Sequence, residues 1–256
     1  MNNIMKTKRI GETSTNNQGI EMTIINYKNN SDIDIQFSDG TVVEHVQYYN
    51  FINGNVKNYN MPSYLGKGYL GYGQYTSRVD GIKTEEYVKW GSMLTRCYSE
   101  KFHEKENYKD CIVCDEWHNF QNFAKWYYEN KYMPPFDDRL ELDKDIKIKN
   151  NKIYSPETCL LVPKRINSTI LNRKNDRGNC CIGVSRHGDK YIAHTNPYGG
   201  MHTKNYIGTF DTEEEAFYAY KKCKEKIIKE IAENYKPYIP YEVYDALIRY
   251  EININD

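Results

Sequence analysis

The chain has 256 residues, with 35 Lys and Arg against 35 Asp and Glu, and it is 39% apolar and 27% charged. That balance excludes a disordered acidic or basic tail and leaves room for one large domain or two to three small ones. No apolar run reaches the roughly 20 residues of a membrane-spanning helix, and Lys6, Lys8 and Arg9 near the start are followed by no apolar stretch of a secretory signal.

Residues 1–18 read as a flexible N-terminus. Residues 19–60 read as a small β-rich domain, because Glu21 to Tyr27 and Asp32 to Phe37 alternate polar and apolar side chains. Asn29, Asn30 and Ser31 turn between them, and Ser38 to Gly40 turn into Thr41 to Val43. Residues 61–83, rich in Gly and Tyr, read as a linker. Gly66, Gly68, Gly71 and Gly73 lack the strand-to-helix setting of a phosphate loop.

Residues 84–177 form the second block. Tyr87, Trp90, Met93, Leu94 and Cys97 recur at helical spacing, and Glu116, Trp117, Phe120, Phe123, Trp126 and Tyr127 make a second aromatic helix ended by Pro134 and Pro135. These stripes read as core. A turn at Asn150 and Asn151 precedes Lys152 to Tyr154, and Cys159 to Val162 leads into a helix with Asn167 near its start. Cys111 and Cys114 have the spacing of half a zinc site, but no second such pair exists, so two buried thiols are expected and zinc is not. Seven unevenly spaced cysteines make no disulfide framework, and a reducing cytoplasm is the expected setting.

Residues 178–236 form the third block. Cys181 to Arg186, Lys190 to Thr195 and Lys204 to Gly208 read as three short strands. Thr212 and Glu215 form a capping box, with Ala216, Ala219, Tyr220, Cys223, Ile227 and Ile231 along one helical face until Pro237. Residues 237–256 hold a last helix and tail. The whole reads as an α+β chain. Its neutral total hides a bias, because residues 164–210 carry eight basic and two acidic residues. A local positive field of this kind suits phosphate contact.

The strings Ile182 to His187, Tyr191 to Ala193 and Tyr206 to Tyr220 resemble the Apetala/ethylene-response-factor DNA-binding domain. The likeness covers about fifty residues. It implies a three-stranded sheet packed on one helix, with the sheet in the major groove of duplex DNA. It sets Tyr191 and Tyr206 where that family has groove-facing tryptophans and Lys204 at a basic contact position. Arg186, Lys190 and His194 are expected to face DNA as well. Ser185, His187, His194 and Asn196 replace the family's base-contacting residues, so no target sequence carries over.

The middle block resembles the HNH nucleases of phages and mobile elements, in which such modules often follow the nuclease unit. Tyr87 to Tyr98 is closer to a group of phage proteins with the same Tyr-x-x-Trp-x-x-Met-Leu-x-Arg-Cys-Tyr string. The HNH likeness implies a ββα unit around one divalent metal, Mg or Mn. Asp143 and Asn167 match its metal ligands, and Tyr154 to Cys159 resembles its hairpin. Lys144 takes the place of the water-activating histidine. A lysine near pKa 10.4 would need a downward shift of about three units, roughly 4 kcal/mol, to act at neutral pH. Asp145 is the substitute base if its geometry allows. The expected function is duplex DNA binding with nuclease activity impaired or lost. An active nicking endonuclease and an inhibitor that binds a host defence protein are the alternatives, and no membrane partner is expected.

Overall fold

The computed structural model describes residues 9–103, 108–136, 138–170, 180–196 and 205–256. The chain is α+β, with five small sheets among the described residues.

The N-terminal sheet is a meander of β1 (Thr13–Thr15), β2 (Glu21–Asn29), β3 (Asp32–Phe37) and β4 (Val42–Val46). Alternation sets its inner face: Met22, Ile24, Ile33, Ile35 and Phe37 are buried with Phe51 of α1 (Tyr48–Ile52). The ordered unit begins earlier than the pattern suggested. Thr13 pairs with Thr23 and Thr15 with Glu21, so residues 9–18 belong to the sheet unit rather than to a free terminus.

Residues 61–83 are likewise not an extended linker. They hold the short pair β5 (Arg78–Val79) and β6 (Ile82–Lys83), and Tyr69 bridges to Asn119. The glycines let this segment lie flat on the core. A Cβ at Gly68 would sit 2.4 Å from Leu94 and 2.8 Å from Trp90. Glycine is kept where backbone must approach this closely.

Trp90, Met93, Leu94 and Cys97 of α2 (Glu85–Tyr98) are buried, and Trp90 Nε1 donates to the Trp117 carbonyl at 2.7 Å. A short α3 (Glu100–His103) and β7 (Ile112–Val113) follow. The second aromatic helix is two: α4 (Asp115–His118) and α5 (Phe120–Asn130). Asn119 separates them in an extended conformation, because His118 O and Phe120 N both bond to the backbone of Tyr69. Asn119 then caps α5 by accepting from Gln121 N at 3.0 Å.

Two antiparallel strands followed by a helix come next. β8 (Leu140–Asp143) pairs antiparallel with β10 (Leu160–Pro163), which runs into α6 (Lys164–Ile170). β9 (Ile153–Tyr154) instead pairs in parallel with β7. β10 is buried on both faces. Leu161 packs into the aromatic core, whereas Leu160 and Val162 pack into the C-terminal core. The boundary at residue 177 therefore does not separate two cores. Ile146, Leu160, Val162 and Ile166 share one with Val184, Ala193 and Phe217.

The last sheet has the order β11 (Val184–His187), β12 (Lys190–Thr195), β13 (Asn205–Phe210) and packs on α7 (Glu213–Tyr235). Thr212 Oγ1 accepts from Glu215 N and Glu215 Oε2 from Thr212 N, a complete capping box worth about 1 kcal/mol. Ala216, Tyr220, Lys224, Ile228 and Ala232 form the buried stripe, at a spacing of four. Ala219, Cys223, Ile227 and Ile231 are only half-buried, so the stripe is rotated from the expected one. Helix α8 (Tyr241–Ile248) closes the core with Val243 and Leu247. No helix of the described residues is long and apolar enough to cross a membrane.

Candidate functional site

Two places gather the polar side chains singled out by the sequence. The first is the face of the C-terminal sheet turned away from α7. Side chains alternate across a strand, so the register assigns them. Val184 pairs with Ala193 and Ala193 with Gly208, and both Val184 and Ala193 are buried against α7. The register then slips by one residue, so that His194 pairs with Tyr206 and Ile207 turns into the core. Ser185, His187, Lys190, Ile192, His194, Tyr206 and Thr209 fall on the outer face. Tyr206 Oη lies 3.0 Å from Thr209 Oγ1, consistent with that assignment. Tyr206 is 67% exposed.

The six expected DNA contacts therefore divide. Lys190, His194 and Tyr206 share the outer face. Arg186 pairs with Tyr191, and both stand on the α7 side. Tyr191 packs against the core there, while Arg186 lies beyond the helix, exposed, with Nε donating to the Gly188 carbonyl at 3.1 Å. Counting by two from Val184 separates Arg186 from His187, so Arg186 and Tyr191 do not join the outer set. Lys204 lies outside the described residues. So do Arg173, Lys174 and Arg177, which with Lys204 supply half of the eight basic residues in 164–210. Lys190 is ion-paired with Asp211 at the sheet's end.

The second place is a cavity of about 330 Å³ beneath this module. Its walls are the turn after β8, the helix α6, the helix α7 and residues 250–256. Asp143 and Asn167, the expected metal ligands, both line it. Asp143 Oδ1 accepts from Asp145 N at 2.8 Å and Ile146 N at 2.7 Å, which fixes the turn. Burial pushes its carboxyl above the ordinary carboxylate range, against those two hydrogen bonds. Asn167 Oδ1 is buried with no hydrogen-bond partner. A carboxylate and an unpartnered amide oxygen are hard donors of the kind that Mg or Mn takes.

Lys144 and Asp145 have a different task from the expected catalytic one. Lys144 is buried, and its Nζ donates to both Asp145 oxygens at 2.8 Å and to the Asn151 carbonyl at 2.6 Å. Asn151 Nδ2 returns a bond to the Lys144 carbonyl at 3.0 Å. The lysine is thus the clasp of the β8–β9 turn, with its donors committed. Asp145 is the clasp's counter-ion, with both carboxylate oxygens accepting from the ammonium.

The cavity holds a residue that the sequence reading missed. Lys224 is buried, and its Nζ donates to the Asn196 carbonyl at 2.7 Å. Among the described residues no carboxylate pairs with it. Burial lowers its pKa to about 8. The signal was available: Lys224 interrupts an apolar row, Ala216, Tyr220, Ile228 and Ala232, at a spacing of four. Tyr250 and Asp256 also line the cavity and were missed, because only tertiary contacts bring that segment there. Lys149 holds it, donating to the Glu251 carbonyl at 2.5 Å and pairing with Asp256. Ile252 N donates to Glu225 Oε1 at 2.9 Å.

Elsewhere, Cys111 is buried in the aromatic core and Cys114 is half-buried, and burial raises both thiols. Among the described residues one group of acids and histidine has metal-like spacing, Asp32, Asp34 and His45 on the N-terminal sheet. Its members satisfy one another and their neighbours. His45 Nδ1 lies 2.9 Å from Asp32, which Lys28 also reaches, and Asn26 donates to Asp34. These bonds hold both carboxyls below their usual range.

Comparison with known protein families, with curated proteins and with solved structures returns no match to this chain.

Proposed function

We propose that the chain binds duplex DNA through the outer face of β11–β13 and does so without nuclease activity. The observation that carries the reading is the gathering of Ser185, His187, Lys190, His194 and Tyr206 on one open sheet face whose other side is fixed by α7. A twisted three-stranded ribbon of this size fits a major groove, and its outward side chains reach base edges. The sequence around it carries the excess of positive charge that phosphate contact uses. The commitment of Lys144 to the turn supports the loss of the water-activating step.

Titration of a fluorescent duplex tests this. Affinity should fall steeply as salt rises, and Tyr206→Ala with His187→Ala should weaken it. Absence of binding to any duplex at low salt, or an affinity indifferent to salt, would overturn the reading.

The joint placement of Asp143 and Asn167 on one cavity favours a second reading, a metal-dependent nicking enzyme. Nicking of supercoiled plasmid with Mg or Mn, lost in Asp143→Ala and Asn167→Ala, would establish it. The inhibitor reading has no comparable observation. Pull-down from nuclease-treated host lysate tests it, because a direct protein contact survives removal of DNA.

A further inference from the structure

The cavity contains polar groups whose needs are unmet, and the pattern of those needs describes a ligand. Buried polar groups are normally hydrogen-bonded, and each exception calls for an explanation. Asn167 Oδ1 is a buried acceptor without a donor. Asp143 Oδ1 is occupied by two backbone N–H groups, which leaves its second oxygen as a further acceptor. Both residues line the cavity, so its wall carries acceptors. Lys224 lines the same cavity from α7. Its ammonium has three donors and one neutral acceptor, the Asn196 carbonyl. Among the described residues this buried cation lacks the counter-charge that buried charges require.

A bare divalent cation would satisfy Asn167 and Asp143 but would leave Lys224 without an anion and add a like charge to its cavity. An inorganic anion would satisfy Lys224 and leave the acceptors unmet. A ligand that carries a two-hydrogen donor and an anionic group on one frame meets both needs. The volume of about 330 Å³ falls at the small end of ligand sites, which run from about 300 to 1,000 Å³. It is an order of magnitude above the roughly 30 Å³ of one water molecule. Tyr108, Tyr220 and Tyr250 also line it, and aromatic walls suit a planar base.

We infer that the cavity bounded by Asp143, Asn167, Lys224 and Tyr250 binds a nucleotide, with the amino group of its base at Asn167 and Asp143 and its phosphate at Lys224. The nucleotide is either free or the phosphorylated end of a DNA strand; the chemistry of recognition is the same. The site is separate from the outer face of the sheet and stands independently of duplex binding there.

Calorimetric titration of the full chain tests it with deoxycytidine or deoxyadenosine monophosphate, thymidine monophosphate, inorganic phosphate, the unphosphorylated nucleosides and Mg²⁺ alone. The amino-bearing monophosphates should bind at least ten-fold tighter than thymidine monophosphate, phosphate or any nucleoside. Lys224→Met keeps the length and apolar stem of the side chain and should remove that binding while the circular dichroism spectrum is retained. Asn167→Leu, a second variant of similar volume, should erase the preference for an amino-bearing base. A 5′-phosphorylated oligonucleotide binding tighter than the free monophosphate assigns the site to DNA ends, and the reverse assigns it to free nucleotides; both support the recognition chemistry. The inference is overturned if the monophosphates do not bind, if phosphate alone binds as tightly, if folded Lys224→Met binds unchanged, or if Mg²⁺ binds alone and competes with the nucleotide.

Discussion

The sheet face and the cavity lie in the same C-terminal half, yet their polar groups live under opposite conditions. On the sheet, Ser185, His187 and Tyr206 are exposed, so water satisfies them and their presence costs little. In the cavity, Asn167 Oδ1 is buried without a partner and Lys224 is buried without a counter-ion among the described residues. Unmet groups of the second kind typically cost 1–3 kcal/mol or more each. The exposed set therefore admits a binding role without demanding one, whereas the buried set needs a reason to persist. Energetically, the cavity is the more informative place, although the sequence likeness is stronger on the sheet.

Tyr220 links the two regions, since it lines the cavity and packs beneath the sheet. Its ring lies against Gly183, where an added Cβ would sit 2.1 Å from Cδ2, and Gly183 has φ +75°. Gly183→Ala should therefore have the largest effect, a loss of about 4 kcal/mol from overpacking and left-handed strain combined. Urea unfolding measures it. A loss below about 1 kcal/mol would mean that Tyr220 yields freely and that sheet and cavity are not mechanically joined.

Lys224 supplies the next largest effect, with the opposite sign. Its folded pKa of about 8 lies below its ordinary value of 10.5. Between those values the unfolded chain binds more protons, so this residue makes stability rise with pH across that window. The full rise is on the order of 3 kcal/mol. Other groups titrate there too; burial raises Tyr132 and Tyr250, for example, so those groups lower stability as pH climbs. The difference between wild type and Lys224→Met isolates the lysine. Lys224→Met should be the more stable protein at pH 7, and its advantage should shrink as pH approaches 10. An advantage constant with pH would show that the ammonium is already satisfied, and the cavity would lose its distinction from the sheet face.

The contrast also shows which features can be read from a chain. Alternation revealed β2 and β3, and the stripe through Trp90, Leu94 and Cys97 revealed α2, because local periodicity sets which face is buried. The capping box revealed the start of α7 for the same local reason. Residues 61–83 were misread because their glycines serve tertiary packing against Trp90 and Asn119, which composition does not reveal. The break at Asn119 was invisible because its cause is Tyr69, fifty residues away. At the candidate site, Asp143 and Asn167 were singled out through a likeness, and both line the cavity. The place of Lys144 in the turn was not legible because its partners, Asp145 and the Asn151 carbonyl, are fixed only once the turn closes.

That clasp yields a smaller prediction. Lys144→Ala removes the bond to the Asn151 carbonyl and the pair with Asp145, which is half exposed and therefore screened. The expected loss is about 2 kcal/mol by urea unfolding. Asp145→Asn should lose less than half of that, since Asn151 still holds the ammonium. Equal losses in the two variants would mean that the ion pair, rather than the carbonyl, closes the turn.

The smallest effects sharpen the sheet side of the comparison, because its residues are exposed and act one contact at a time. Tyr206→Ala should reduce duplex affinity about ten-fold, in keeping with the roughly 1–3 kcal/mol of one aromatic or bidentate base contact. Lys190→Ala should cost less, because its ammonium is shared with Asp211. Arg186 and His187 provide the decisive pair. They are adjacent in sequence, both exposed, and set by the pleat on opposite faces. If the outer face enters the groove, His187→Ala weakens binding several-fold and Arg186→Ala leaves it within about two-fold at moderate salt, the residual being long-range charge. Charge alone would give the reverse order, since arginine is always cationic. Arg186→Ala proving the more damaging of the two would therefore move the DNA to the side of the sheet that packs on α7, and would end the groove-reading account of this module.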